Sequence, residues 1–453
     1  MEEGGKRMRI CYYGDDFTGS TDALEALAAA GLRVILFMDV PDPAVWKERF
    51  ADYDGFGVAG VSRTMSPAAM ERELPPVLSA LRAFGAPITH YKICSTFDSS
   101  PDIGSIGKVI ELGRQAFPEQ RCMPVVAGLP VLKRYTVFGN HFVGAEGVRL
   151  DRHPNTANHP VTPMQEADLR VHLGRQTALP VGLMSVLDLE LDGAELERRF
   201  EHAAAGHDIV LFDVLSEAHL AKIGALLSRL GERGPAFAVG SSGVEYALAA
   251  HWRSCGLLPS EPPRWQAGSA ERLLVVSGSC SPVTRAQIEW ALAHGYAGMR
   301  IPADCLLADG LEAAQPLLAE AKRLLRDGRS VILYTALGPD DDGIAEVRSR
   351  LRSRAAEPAA SGQRLGARLG DLAKELITSA GLTRAVIAGG DTSGFAVQRL
   401  GGYALEMKAP LVPGAPLCRV LSRNEQLDGL ELVLKGGQVG PPDMFERVRT
   451  GRA

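Results

Sequence analysis

The sequence predicts an α/β protein with two domains, each built on a mainly parallel sheet that is flanked by helices. Short apolar runs alternate with helical patterns along most of the chain, which is typical of parallel sheets covered by helices. A segment rich in Pro, Gly and Ser interrupts this alternation at 256–270. A chain of 453 residues also exceeds what one hydrophobic core usually supports. We therefore expect domains at 1–260 and 268–453.

The strands of the first half are expected where apolar runs of strand length are followed by turn residues. The first is 8–14, followed by a helix that Gly31 ends and by a second strand at 33–40. The remaining candidates are 55–62, 88–93, 123–128, 182–189, 208–214 and 236–243. A parallel sheet in this order needs helices between its strands, and helical patterns separate most of these runs.

The second half repeats the same pattern. Its strand candidates are 272–278, 298–302, 329–336, 384–390 and 430–437. One segment of the first half, 136–165, departs from the pattern because it is rich in Gly, Pro, Asn and His and has no clear periodicity. Long irregular segments inside compact domains are often functional. We expect a loop that covers the substrate, with a plain surface excursion as the alternative.

Composition excludes several classes of protein. The net charge is −5 and no basic run stands out, which argues against a partner that is a nucleic acid or an anionic membrane. The 7 cysteines form no C-x-x-C pair, so neither a disulfide framework nor a structural zinc site is indicated. No signal peptide and no membrane-spanning apolar run is recognisable, and a cytoplasmic location is expected.

Polar residues that follow the strands of the first half suggest a site for a small acid. In open α/β sheets, ligands bind at the carboxyl ends of the strands. The residues found there are Asp15, Asp16, Arg63, Lys92, Ser95, Asp98, Asp213 and the run 240–243. The cations could hold a carboxylate, while the acidic groups accept sugar hydroxyls and one aspartate takes a proton. The alternative for each residue alone is a helix cap.

Three glycine- and serine-rich loops in the second half suggest a phosphate site. Each follows an apolar strand, and free N–H groups at a helix start favour phosphate. The loops contain Ser279 (in 277–281), Gly389, Gly390, Asp391, Thr392 and Ser393, and Gly436 with Gly437 (in 434–440). None is a Walker A loop or G-x-G-x-x-G motif, and packing alone could explain each singly. Together the loops favour a nucleotide cradle.

A site for an acceptor hydroxyl in one domain and a phosphate site in the other predict phosphoryl transfer across an active-site cleft between the domains. Such transfer needs a Mg²⁺ ion and a carboxylate close to the attacking hydroxyl. The sequence does not identify the metal ligands. It also leaves open whether the chain forms a homo-oligomer.

The chain contains an ordered series of longer motifs: DDFTGSTDAL at 15–24, HPVTPMQEADL at 159–169, VVSGSCSPVTRAQI at 275–288, AGGDTSGFAVQRLG at 388–401, PGAPL at 413–417 and LVLKGGQVGPPDMF at 432–445. In this order, over nearly the whole chain, the series resembles the four-carbon acid sugar kinase family. The resemblance implies an N-terminal domain that binds a sugar acid and a C-terminal domain that binds ATP.

Carried over by matching position, the resemblance places Asp15, Asp16, Arg63 and Lys92 in the acid-sugar site. It places Ser279, 389–393 and Gly436 with Gly437 in the ATP site. We expect Asp16 to be the base because it is nearer to the helix start, with Asp15 as the competitor.

The segment 92–104, KICSTFDSSPDIG, departs from the family pattern K-x-D-S-T-L-R-G-N. Cys94 stands where an aspartate is usual, and the arginine of the pattern has no counterpart. The segment resembles a separate branch of the family, which implies that other acids are substrates, including the branched 3-oxo-isoapionate. The candidate substrates are therefore 3-oxo-tetronate, threonate, erythronate and 3-oxo-isoapionate. Two alternatives remain: an acid-sugar-binding protein that responds to nucleotide without transferring phosphate, and an NAD(P)-linked oxidoreductase. The lack of G-x-G-x-x-G after the first strand weighs against the second.

Overall fold

The chain is described here from a computed structural model, in which residues 8–159, 161–261, 263–308, 310–353 and 358–452 are described. It divides into two compact units. The first comprises the chain up to Val34 and from Asp39 to Pro263, and the second comprises Ile35–Met38 and the chain from Arg264 onwards.

The strands and helices alternate as the sequence predicts for most of the chain. The strands are β1 (Ile10–Gly14), β2 (Val34–Phe37), β3 (Gly55–Ala59), β4 (Ile88–Lys92), β5 (Met123–Val126), β6 (Arg134–Val137), β7 (Asn140–Val143), β8 (Val148–Arg149), β9 (Val181–Met184), β10 (Ile209–Phe212), β11 (Ala236–Gly240), β12 (Leu274–Ser277), β13 (Ala297–Arg300), β14 (Val331–Tyr334), β15 (Arg384–Ala388), β16 (Gly402–Ala409), β17 (Leu417–Ser422) and β18 (Glu431–Lys435). The helices are α1 (Phe17–Ala29), α2 (Pro43–Arg49), α3 (Pro67–Ala83), α4 (Ile106–Ala116), α5 (Pro154–Ala157), α6 (Leu169–Gly174), α7 (Gly193–Gly206), α8 (Glu217–Arg233), α9 (Gly243–Ser254), α10 (Pro282–Ala293), α11 (Ala303–Leu307), α12 (Gln315–Arg326), α13 (Asp342–Ser353), α14 (Pro358–Ala380), α15 (Gly390–Leu400) and α16 (Met444–Thr450).

The first unit is built on a parallel sheet. Its strand order is β3-β1-β4-β11-β5-β10-β9, and every pairing between these strands is parallel. All residues of β1, β3, β4 and β11 are buried, as expected for strands that are covered on both faces. The predicted α/β class, with mainly parallel sheets flanked by helices, is confirmed.

The segment 136–165 is not the long irregular loop that the sequence predicts. Strands β6, β7 and β8 form a small antiparallel sheet, and α5 follows it. Phe138 and Gly139 make the two-residue turn between β6 and β7, with φ of 51° and 82°, as such hairpin turns require. The buried carboxylate of Asp213 accepts hydrogen bonds from both of their N–H groups, at 2.6 and 2.9 Å.

These bonds correct the prediction for Asp213, which followed a strand and was therefore a candidate site residue. A third backbone N–H, that of Val186, also donates to its carboxylate, at 3.0 Å. Asp213 is thus a structural residue that holds the hairpin turn on the first unit.

The second unit has a mixed sheet. Its order is β13-β14-β12-β15-β18-β17-β16-β2, with parallel pairings from β13 to β18 and antiparallel pairings from β18 to β2. The sequence did not predict β16 and β17. It predicted the strand β2 correctly but not its partner: Leu36 pairs with Leu405 of the second unit's β16. A uniformly apolar run identifies a buried strand without indicating which edge it joins.

Among the described residues, no helix is both long enough and apolar enough to cross a membrane.

One buried arginine joins the two ends of the second unit to its sheet. Arg384, at the start of β15, is 1% exposed. Its guanidinium donates to the Glu431 carboxylate at 2.6 Å, to the carbonyl oxygen of Val448 at 2.7 Å and to that of Gly268 at 2.7 Å. The first residues of the unit and helix α16 are thereby held against β15 and β18.

We expect Arg384→Met to lower the free energy of unfolding of the second unit by about 2–4 kcal/mol, because it leaves two carbonyl oxygens without their donor and leaves the Glu431 carboxylate with Lys408 as its remaining ion-pair partner. Urea unfolding measures this. Arg419→Met is the matched control: Arg419 pairs with Glu406 at the surface and is 54% exposed, so about 1 kcal/mol or less is expected. Equal losses in the two variants would contradict this role of Arg384.

Candidate active site

The candidate residues of the first unit meet at one edge of its sheet. Strands β3, β1, β4 and β11 are neighbours, and their last residues are in register: Gly14 pairs with Ala59 and Lys92, and Lys92 pairs with Gly240. The segments that follow the four strands therefore leave the sheet side by side at one edge. The Asp15 N–H donates to the Lys92 carbonyl oxygen at 2.8 Å, which fixes the first candidate residue beside the end of β4.

Asp16 is the N-cap of α1 and is tied down by several donors. Its carboxylate accepts the Gly19 N–H at 2.8 Å and the Thr18 hydroxyl at 2.7 Å, and it forms an ion pair with Arg63 at 2.9 Å. Burial acts to raise the pKa of Asp16, but Arg63, the Thr18 hydroxyl, Lys92 and the Gly19 N–H together hold it below the usual value. Asp16 is therefore a stable anion that organises the helix start and Arg63.

Asp15 has the opposite environment, although it is the adjacent residue. Its side chain is buried, and its Oδ1 has no hydrogen-bond partner among the described residues. Burial and the negative charge of Asp16 raise the pKa of Asp15 to about 8, against the smaller effects of Arg63 and Lys92. A carboxyl group with a free oxygen and a pKa near neutrality can accept a proton from a bound hydroxyl.

Lys92 is held behind the two aspartates. Its ammonium group is buried, donates to the Ile93 carbonyl oxygen at 3.0 Å and lies 3.3 Å from the Asp22 carboxylate. Ser242 donates to the same Asp22 carboxylate at 2.6 Å. Burial acts to lower the pKa of Lys92, but Asp22 and Asp16 raise it, so the lysine is a permanent cation. Asp22 escaped prediction because it lies inside α1 rather than after a strand.

The divergent segment after β4 lies against the small sheet. The Cys94 Sγ is 3.0 Å from the Thr96 hydroxyl, and burial followed by the charge of Asp98 raises the pKa of Cys94 to about 12. The thiol is therefore neutral. The Ser95 carbonyl oxygen is 2.9 Å from Nε2 of His141 on β7, which joins the two segments.

The three loops of the second unit also meet at one edge. Strands β12, β15 and β18 are parallel neighbours, with Ser277 opposite Ala388 and Ala388 opposite Lys435. The Gly278 N–H donates to the Ala388 carbonyl oxygen at 2.8 Å, and the Gly389 N–H donates to the Lys435 carbonyl oxygen at 3.0 Å. The structure thus brings the predicted loops together side by side.

Hydrogen bonds from hydroxyl groups connect the loop after β12 with the loop after β18. The Thr284 hydroxyl donates to the Ser279 hydroxyl at 3.0 Å and to the Gly437 carbonyl oxygen at 3.1 Å, and the Ser281 hydroxyl also donates to that carbonyl. A Cβ atom at Gly437 would lie 3.2 Å from Ser279 Oγ, closer than most such contacts. The neighbouring Gly436 is open on its side-chain face except for Val439.

The third loop begins helix α15. Gly389, its N-cap, has φ 145°, a conformation that favours glycine, and no side chain of the described residues caps the helix start. Helix α15 begins at Gly390, and the Ser393 N–H donates to the Gly389 carbonyl oxygen at 3.0 Å. The predicted positions Asp391 and Thr392 lie in the first turn of this helix; their side chains are outside the described part of the structure.

Lys435, the last residue of β18, was missed by the sequence prediction, which took only the glycines that follow it. Its buried ammonium group donates to the Thr284 hydroxyl and to the Gly436 carbonyl oxygen, both at 2.9 Å. These partners are uncharged, and burial lowers the pKa of Lys435 to about 7. The signal available in the sequence was a lysine that follows an apolar strand directly.

Among the described residues, no group of three or more His, Cys, Asp and Glu side chains is placed to hold a metal ion.

Comparison with known proteins identifies the two halves of the chain. Residues 10–248 match the family model of a sugar-binding N-terminal domain, and residues 274–445 match that of a nucleotide-binding C-terminal domain. The chain belongs to the family of acid sugar kinases that combine these two domains, and the resemblance predicted from its motifs is confirmed.

Two relatives cover nearly the whole chain. A 3-oxo-isoapionate kinase of Paraburkholderia graminis is 47% identical over 98% of this chain and 94% of its own length. A 3-oxo-tetronate kinase of Pseudomonas savastanoi is 32% identical over 96% of this chain and 95% of its own length. The sequence is more similar to the 3-oxo-isoapionate kinase than to this 3-oxo-tetronate kinase, in agreement with the separate branch expected from the Cys94 segment.

Solved structures support the fold. A protein of Salmonella typhimurium has a TM-score of 0.74 at 24% identity, covering 99% of this chain and 100% of its own. A protein of Haemophilus influenzae has a TM-score of 0.70 at 22% identity, covering 97% and 99%.

We expect Asp15→Asn to stabilise the first unit increasingly as the pH rises. The unfolded carboxyl ionises near pH 4, whereas the folded one stays protonated until about pH 8, so the wild type loses about 1.4 kcal/mol per pH unit in that window and asparagine does not. Urea unfolding at pH 5, 6.5 and 8 measures the difference. Asp52→Asn, at an exposed residue that pairs with Arg33, is the matched control for the replacement of a carboxylate by an amide. A constant difference between Asp15→Asn and wild type would contradict the environment described for Asp15.

Proposed function

We propose that this chain transfers the terminal phosphoryl group of ATP to a hydroxyl of a 3-oxo acid sugar, with 3-oxo-isoapionate as the first candidate substrate. The observation that carries the proposal is the contrast between two adjacent buried aspartates in the sugar-binding unit. One is a fixed anion with bonded oxygens, and the other has a raised pKa and a free oxygen. Such separation of the pKa values of paired carboxyl groups is typical of acid–base sites.

Asp15 is the general base in this proposal, which reverses the preference for Asp16 drawn from the sequence. An efficient base has a pKa close to the working pH, because it must be ionised and yet still attract a proton. Asp15, with a pKa of about 8, meets both demands. Asp16 does not, because Arg63, Thr18 and Gly19 already use its oxygens.

Arg63 and Lys92 orient and stabilise the acceptor. Arg63 is fixed by Asp16, and its side chain remains 16% exposed, so its positive charge can act on an oxygen of the bound substrate. Lys92 is fully buried behind Asp22 and keeps the local potential positive without contacting solvent. The positive charges of Arg63 and Lys92 favour the ionised form of Asp15, which is the form that removes the hydroxyl proton. The same charges attract an anionic substrate.

The second unit binds ATP through its backbone loops. Glycines at 389 and 436–437 let phosphate approach main-chain N–H groups closely, and the N–H groups at the start of α15 add donors. Among the described side chains no acidic group pairs with Lys435, so a bound phosphate would supply it with a negative partner. Mg²⁺ is commonly held by one or two carboxylates and by the phosphates themselves, which fits the absence of a larger ligand cluster among the described side chains.

The substrate assignment rests on the divergent segment. Cys94, a neutral thiol, stands where an aspartate is usual, so this position offers no charge to a hydroxyl. The relative named 3-oxo-isoapionate kinase is 47% identical, whereas the 3-oxo-tetronate kinases range from 28% to 32%. Both differences favour a branched 3-oxo acid over a linear one.

We expect Asp15→Asn to lower the kcat for ATP turnover with 3-oxo-isoapionate by about 100-fold or more, because the base is lost. Wild-type kcat/KM should rise with pH with a midpoint near pH 8, where Asp15 is half ionised, and level off at higher pH, whereas the residual activity of Asp15→Asn should lack this rise. In Asp16→Asn the rise should persist but shift to lower pH, because the charge of Asp16 raises the pKa of Asp15. A wild-type profile that is flat from pH 6 to 9, or a fully active Asp15→Asn, would sink the proposal.

We expect Lys435→Met to raise the Kd for ATP while leaving the binding of the acid sugar unchanged, since Lys435 belongs to the second unit. Nucleotide binding should also cause the wild type to take up protons near pH 7.5, because phosphate raises the lowered pKa of Lys435. Calorimetry in buffers of different ionisation enthalpy measures this uptake. Lys408→Met, at a lysine that pairs with Glu431, is the control. Unchanged ATP affinity in Lys435→Met would exclude the phosphate role.

A further inference from the structure

Two buried polar atoms of the small sheet and the residues that follow it have no hydrogen-bond partner among the described residues. They are Arg134 Nε, at the start of β6, and His153 Nδ1, before α5. Buried polar groups in folded proteins nearly always have a partner, so each exception needs an explanation. The same condition holds for Asp15 Oδ1, the free oxygen of the proposed base.

Arg134 emerges from the face of β6 that is turned towards the segment after β4. Thr136, two residues further along the strand, points to the same side of it. The Thr136 hydroxyl is 2.9 Å from His141 Nδ1, and His141 Nε2 is 2.9 Å from the Ser95 carbonyl oxygen. The guanidinium of Arg134 therefore lies on the side of the small sheet that contacts the divergent segment.

The charges around Arg134 place it close to the same site. Cys94 and Asp98 both act on its guanidinium, and Asp98 acts on Asp15 as well, so Asp98 lies within electrostatic reach of both groups. Arg134 in turn helps burial to lower the pKa of His153, which is therefore neutral at pH 7.

The guanidinium is anchored but not neutralised. Its Nη1 donates to the carbonyl oxygens of Leu132 and Lys133, at 2.9 and 3.3 Å, and no carboxylate of the described residues forms an ion pair with it. Two carbonyl bonds fix the direction of the planar group while leaving Nε available. The segment 92–104 itself contains no arginine. Arg134 is half-buried, and a cation that is oriented in this way without a carboxylate partner among the described residues is suited to bind a carboxylate.

We propose that Arg134, with His153 beside it, holds the carboxylate of the acid sugar, so that the hydroxyl end of the substrate is directed to Asp15. This inference rests on the proposed function. In this arrangement the bound carboxylate gives Arg134 Nε and His153 Nδ1 their hydrogen-bond partners. The small sheet then contributes to substrate specificity, because a hydroxyl reaches Asp15 only if it lies at the right distance from the carboxylate.

The test compares Arg134→Gln, Arg134→Lys and Arg149→Gln. We expect Arg134→Gln to raise the KM for 3-oxo-isoapionate by about 30-fold or more, since a charge-assisted contact is lost, and to leave the KM for ATP unchanged. Arg134→Lys keeps the charge without the planar fork and should be intermediate. Arg149, on β8 of the same sheet, pairs with Asp151, and Arg149→Gln should behave as wild type.

A second measurement separates recognition from a merely structural role. Wild type should prefer the acid strongly over its uncharged carboxamide, and Arg134→Gln should lose this preference. Retention of the preference, or an unchanged KM, overturns the inference even though the enzyme is a kinase. Should Arg134→Gln fail to fold, the same comparison in Arg134→Lys decides, with an undiminished preference counting against the inference.

Calorimetric binding of 3-oxo-isoapionate, 3-oxo-tetronate, threonate and erythronate without ATP keeps the two proposals apart. Binding that weakens in Arg134→Gln without any turnover in wild type supports the carboxylate site and contradicts the kinase. Turnover in wild type with equal binding in Arg134→Gln contradicts only the carboxylate site. If wild type binds none of the four acids, this inference fails.

Discussion

Two adjacent carboxyl groups buried at the end of one strand cannot both be ionised at low cost, and this electrostatic constraint organises the candidate site. The fold resolves it asymmetrically. Asp16 takes the helix N–H, the Thr18 hydroxyl and Arg63, and so becomes the stable anion. Burial and the negative charge of Asp16 disfavour the ionised form of Asp15, and its Oδ1 has no hydrogen-bond partner among the described residues. Because its pKa is raised, Asp15 binds the proton of a substrate hydroxyl more tightly than an ordinary aspartate would.

Burial also shifts the pKa of a basic group in the second unit, where it lowers the pKa of a lysine instead of raising that of an aspartate. Lys435 is buried at the end of a strand, and its described partners are neutral oxygens, so burial disfavours its charge. Each unit thus holds a titratable group at the end of a strand whose charged form burial disfavours. In both units the placement depends on parallel strands ending at a common edge, because register there brings loops distant in sequence side by side.

Much of this could be predicted from the sequence, because the relevant signals are local. Apolar runs followed by turn residues identified the strands of the parallel sheets, and the residues after them are those that converge. The ordered motifs identified the family. Sequence could not decide between Asp15 and Asp16, since a pKa depends on burial and on partners such as Arg63 that are distant along the chain. Nor could it find Arg134, because the Phe138–Gly139 turn lacks the usual Asn-Gly or Asp-Gly signal and its hairpin was taken for a loop.

The central claim, that Asp15 is protonated in the folded protein at neutral pH while Asp16 is ionised, can be tested directly by infrared difference spectroscopy of the carboxyl groups. The account predicts a protonated carboxyl band that is present at pH 6, is lost with a midpoint near pH 8, and is absent from Asp15→Asn. In Asp16→Asn the midpoint should move to lower pH, because the charge of Asp16 raises the pKa of Asp15. A wild-type spectrum without such a band at pH 6, or a band that persists in Asp15→Asn, would contradict it.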